Sequence, residues 1–145
     1  MRATFVLATS LLISALGALP ACKHPEICCG PAIQPGLIGN WSLVYVDNGL
    51  AGGYNVPADS TVILTLTRDS TYHLQDNMVV AESGTFHLAD TPIATLANIP
   101  QPVIVFSAGL TPFGNGPTVY ALSHDSLTLG TSVYDGPSTI YVKID

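Results

Sequence analysis

From Gly39 onward apolar and polar side chains alternate with a period of two. Trp41, Leu43 and Tyr45 interleave with Ser42, Val44 and Val46, and Val62, Leu64 and Leu66 with Ile63, Thr65 and Thr67. Tyr72 and Leu74 interleave with Thr71, His73 and Gln75, and Phe86 and Leu88 with Thr85 and His87. A short apolar run spans residues 103–106. The pairs Val119/Ala121 and Leu127/Leu129 and the trio Ile140/Val142/Ile144 complete the set. Such alternation, rich in β-branched and aromatic residues, is the signature of strands, and no helical period competes with it. Turn residues separate the runs at short intervals: Arg68-Asp69-Ser70, His124-Asp125-Ser126, Asn115-Gly116 and Asp135-Gly136. Asp and Ser bond their own backbone at bends, and short connections join antiparallel neighbours. The pattern predicts an all-β chain, an antiparallel up-and-down meander closing into a roughly eight-stranded barrel, with a two-sheet sandwich as the alternative. The predicted inward residues include Trp41, Leu43, Tyr45, Leu64, Leu66, Tyr72, Phe86, Val119 and Leu127. Residues 48–60, rich in glycine, form the longest loop before the second strand.

The first 22 residues differ in kind. MRATFVLATSLLISALGALPAC has one positive charge, Arg2, then an uncharged apolar run, the layout of an export signal. The run is marginal for a membrane span, which needs about 20 apolar residues. Its end, Leu19-Pro20-Ala21-Cys22, resembles the lipobox of bacterial lipoproteins. The resemblance implies a cut before Cys22, lipidation of that cysteine, and a protein held in the bacterial cell envelope, at the outer membrane. It divides the chain into a lipoprotein signal peptide (1–21), a lipid-anchored tether (22–36) and a barrel domain (37–145). Simple secretion, with cleavage after Gly17, is the alternative. The tether, KHPEICCGPAIQPG after Cys22, is proline-rich and without period. Cys28 and Cys29 have no cysteine partner in the domain, so they cannot staple it.

Charge narrows the partners. The chain has 4 Lys+Arg against 10 Asp+Glu, a net charge of −6, and Arg2, Lys23, Arg68 and Lys143 form no stripe. Nucleic acid, which is bound through clustered cations, is excluded. A membrane is reached through the lipid anchor and not through charge.

Gly39-Asn40-Trp41, opening the first strand, resembles the Gly-x-Trp signature of the lipocalins, and the long 48–60 loop matches their pattern. More closely, the chain resembles bacterial lipocalin-like lipoproteins, with Asp69-Ser70-Thr71-Tyr72 and Gly84-Thr85-Phe86 as further matches. The resemblance implies that Trp41 plugs the closed end of the barrel, that Gly39 permits a close approach, and that Lys143 packs across the indole. It also implies a binding module for a small apolar ligand, with Tyr45, Tyr72 and Phe86 among the inward residues able to meet it. A protein-interaction module with a filled barrel, such as a protease inhibitor or an envelope assembly or structural lipoprotein, is the alternative.

No serine sits in a Gly-x-Ser-x-Gly elbow. His73 and His87, expected on neighbouring strands, read as outward side chains with a metal site as the sharper alternative. The expectation is a non-catalytic protein with no cofactor and no metal. The uncharged residues 92–113, with Thr91 before them, are the predicted mouth or contact surface.

Overall fold

Strand-forming residues at nearly every position leave the backbone to be satisfied by a sheet, and closing that sheet satisfies its edges as well. The computed structural model describes residues 32–92, 100–131 and 135–144, with the side chains of residues 91, 92 and 100 excepted. Among the described residues nine strands run in chain order: β1 (Gly39–Asp47), β2 (Gly53–Asn55), β3 (Val62–Leu66), β4 (Thr71–Asp76), β5 (Val79–Pro92), β6 (Pro100–Phe106), β7 (Thr118–Ser123), β8 (Ser126–Gly130) and β9 (Ser138–Ile144). They form one antiparallel meander, and β1 also pairs with β9. Eight strands thus make a closed ring. The ninth, β2, lies inside the long 48–60 loop and pairs only with the last residues of β1.

The turns act as their residues dictate. Ser70 and His124 take left-handed φ values of 63° and 49° at the β3–β4 and β7–β8 bends. At the first bend Thr67 and Thr71 donate to Asp69 Oδ1, which holds that carboxyl below its usual range. The β4–β5 turn is one the alternation did not predict: Asn77 and Met78, at φ 48° and 67°, join the strands in two residues. Positive φ at both central positions is the geometry whose twist matches paired strands.

Three strands depart from the predicted phase: β1, β7 and β9, where Thr139 and Tyr141 face inward and the apolar trio Ile140, Val142 and Ile144 lies on the outer face. In β1 the register against β9 shifts between Leu43 and Tyr45, so Val44 is an extra, bulged residue. Before the bulge Trp41 and Leu43 point inward; after it Val46 does. Tyr45, predicted inward, instead pairs with Ile140 on the outer face, and its hydroxyl occupies the space over Gly53. A bulge reverses the face of every later residue in the strand. In β7 the inward residues are Thr118 and Tyr120, both buried, while the predicted Val119 sits half-buried opposite Val103 on the outer face.

The remaining predicted inward residues fill the interior. Trp41, Leu64, Leu66, Tyr72, Phe86 and Leu127 are all buried in one cluster with Leu37, Phe106 and Tyr141. Tyr72 and Phe106 meet edge to face, ring centroids 4.8 Å apart. Ile33 and Ile38 pack on the same core, so the packed body begins before residue 37.

Candidate functional site at the open end of the barrel

The two ends of the ring differ. At the closed end Gln34 accepts from Leu37 N in a short 3-10 turn, Pro35–Leu37, that lies across the barrel. Trp41 is fully buried beneath it, and its indole Nε1–H donates to Leu37 O at 2.9 Å. Lys143, directly opposite Trp41 in the β1–β9 pairing, lays its Nζ 5.1 Å from the indole centroid and donates to Gly36 O at 3.0 Å. Gly39 leaves room for that stem: a Cβ there would stand 2.9 Å from Lys143 Cε, and its φ of +144° suits only glycine. Gly39, Trp41 and Lys143 therefore meet in the arrangement the resemblance implies.

The other end is hollow. A cavity of about 470 Å³ is walled by Leu43 and Val46 of β1, Val62 of β3, Leu74 and Asp76 of β4, Ala81 and Glu82 of β5, and Thr139 and Tyr141 of β9. Tyr54 of β2, Asn48, and Thr111 and Pro112 of the loop after β6 complete its rim. That loop is held down by Glu82, whose carboxylate accepts from Thr111 N at 3.1 Å and from the Thr111 hydroxyl. Burial pushes the Tyr141 phenol up to about 12, with Glu82 adding to the rise. Thr139 is 1% exposed and its hydroxyl has no hydrogen-bond partner; it stands beside the Tyr141 phenol without bonding geometry.

Of the three residues proposed from sequence to meet a ligand, none lines this cavity. Tyr45 is on the outer face. Tyr72 is fully buried and donates its hydroxyl to Gly109 O at 2.5 Å, so its polar tip is already satisfied. Phe86 is a core side chain in the filled half. Within residues 91–113 only Thr111 and Pro112 reach the cavity, whereas Ile104, Phe106 and Leu110 are core and 93–99 lie outside the described residues. Cys22, Cys28 and Cys29 also lie outside them. His73 pairs with Ser83 and His87 with Val105, both exposed, so the register keeps the two histidines apart. Among the described residues no group of three His, Cys, Asp or Glu is placed to hold a metal ion.

Five carboxylates stand around the hollow end: Asp47 closing β1, Asp59 before β3, Asp76 closing β4, Glu82, and Asp135 before β9. The described cations Arg68 and Lys143 are at the opposite end, in the β3–β4 turn and near the end of β9. Sequence reasoning placed Leu43 inward and Thr111 and Pro112 in the predicted mouth, but it missed how the other cavity residues join them, because the wall is drawn from seven separate segments. A further early signal was the length of the 48–60 loop. No family model matches this chain, and neither a curated protein nor a solved structure shows significant similarity to it.

Proposed function

We propose that this is a non-catalytic, lipocalin-like lipoprotein of the bacterial envelope that binds a small apolar ligand in the open end of its barrel. The observation that carries the reading is the asymmetry of the interior: a Trp41 plug at one end and a cavity of about 470 Å³ at the other. That volume is within the range of small-molecule sites, and its walls are mainly aliphatic and aromatic with a few polar groups. A barrel evolved only as a scaffold would gain from filling that space, since each unfilled methylene-sized void costs stability. In this reading Cys22 carries the lipid, and residues up to the packed segment at Ile33 serve as the tether.

Two experiments test the proposal. Native mass spectrometry of protein purified from its own envelope should show a bound small molecule that extraction removes; a clean apo mass would shift the balance to the protein-interaction alternative. A clickable palmitate analogue should label wild-type cells and not a Cys22→Ala strain, and equal labelling of both would remove the lipoprotein part.

A further inference from the structure

Resting on the cavity's reading as a ligand site, we infer its ligand class: an amphiphilic cation, a hydrocarbon body carrying an ammonium group, in preference to a fatty acid or a neutral lipid. Three independent features point there. The first is the wall itself, where Leu43, Val46, Val62, Leu74 and Ala81 suit a hydrocarbon and Asp76 and Glu82 are the charged members. The second is the hydrogen-bonding character of the site. Thr139, 1% exposed, lines the cavity with an unpartnered hydroxyl, and carboxylates are acceptors only when ionised. An ammonium group brings three donors to the two carboxylates, while a fatty-acid carboxylate brings none and is repelled by them; the Thr139 hydroxyl, both donor and acceptor, can serve a polar head group. Tyr54 and Tyr141 add aromatic surface, which attracts cations through the ring quadrupole.

The third is the field over the mouth. Asp47, Asp59, Asp76, Glu82 and Asp135 stand at the open end with no described cation among them, while at the other end Arg68 and Lys143 are balanced by Asp69 and Asp125. Same-sign charge around a low-dielectric cleft concentrates the opposite ion and speeds its entry. An anionic ligand would cross the same field uphill and find no described basic side chain in the wall.

The test compares decylammonium, decanol and decanoate, which share one hydrocarbon chain, by isothermal titration calorimetry on the purified full chain. Decylammonium should bind with one-to-one stoichiometry and about tenfold or more tighter than decanol, the worth of a charge-assisted hydrogen bond, with decanoate weakest. Asp76→Asn and Glu82→Gln should each narrow the gap between decylammonium and decanol, read as the ratio of the two affinities within the same variant. Asp76 is exposed, so its variant keeps the fold even if loss of the Glu82–Thr111 contacts loosens the loop. Decanol or decanoate binding as tightly as decylammonium would overturn the inference and leave the cavity's role as a ligand site standing. Failure of all three to bind would overturn both. Decylammonium binding at many sites per chain, unaffected by Asp76→Asn, would mark adsorption to an acidic surface and also overturn the inference.

Discussion

Trp41 shows how much one side chain decides here. It is fully buried, its indole N–H is satisfied by Leu37 O, and Lys143 covers its face while bonding Gly36 O. The residue joins the first strand to the turn preceding it and to the last strand. Trp41→Ala should cost about 3–5 kcal/mol in chemical denaturation, the range for a large buried aromatic. Lys143→Met, which keeps most of the stem, should cost less than Lys143→Ala, because apolar packing and a cation–π contact of about 0.5–2 kcal/mol both contribute. Tyr141 provides a pH test. Its folded value, about 12, lies above the usual 10.0, so the folded state holds the phenol proton more tightly than the unfolded chain does. Its stabilisation is complete below about pH 10 and is lost as pH rises towards 12, roughly 2–3 kcal/mol in all. Urea titrations across that window should show the decline, and Tyr141→Phe should reduce it, leaving what the Tyr72 and Tyr120 phenols, also raised by burial, contribute. The Gly39-Asn40-Trp41 motif made the plug legible in the sequence, down to its lysine partner. Tyr45 was not legible, because Val44 and Val46 are apolar too and nothing local marks the bulge between Leu43 and Tyr45.

Among the elements, the strands run where the alternation put them, although β9 buries Thr139 and Tyr141 and not its apolar trio, and the connections carried most of the remaining surprise. Strand β5 begins at Val79, well before Phe86, because Asn77 and Met78 make a two-residue turn that the apolar run MVVA conceals. Met78 holds a left-handed φ of 67° and is exposed, so it gains nothing from packing there. Met78→Gly should therefore raise the thermal midpoint, by an amount equivalent to about 1 kcal/mol or less, as relief of the backbone strain outweighs the added freedom of the unfolded chain. An unchanged or lower midpoint would show that the turn geometry is different. The ring also has a weak seam. Strands β6 and β7 share two paired positions, Val103 with Val119 and Ile104 with Thr118, against seven between β1 and β9. Amide exchange should be fastest at this seam among the core strands, since sparse ladders open at lower cost. The sequence hid this because the apolar run over residues 103–106 reads as one strand throughout, and an apolar run does not reveal where pairing with the next strand stops.

For the molecule as a whole, the barrel is filled at one end and hollow at the other, and its unbalanced negative charge stands at the hollow end. Closure into a ring was predictable from the number of strands and the short turns, since an open sheet with one apolar face would leave two edges exposed. The cavity was not, because Asp76, Glu82 and Thr139 converge only through the register of β4, β5 and β9. The most direct check of the central claim, that this hollow end receives an apolar molecule, is a methyl-detected NMR titration with decanol. The resonances of Leu43, Val46, Val62, Leu74 and Ala81 should shift together and saturate, while Leu37 and Leu66 at the closed end stay in place. Shifts confined to the exposed Leu50, Met78 and Val79, or no saturable shift at all, would contradict it.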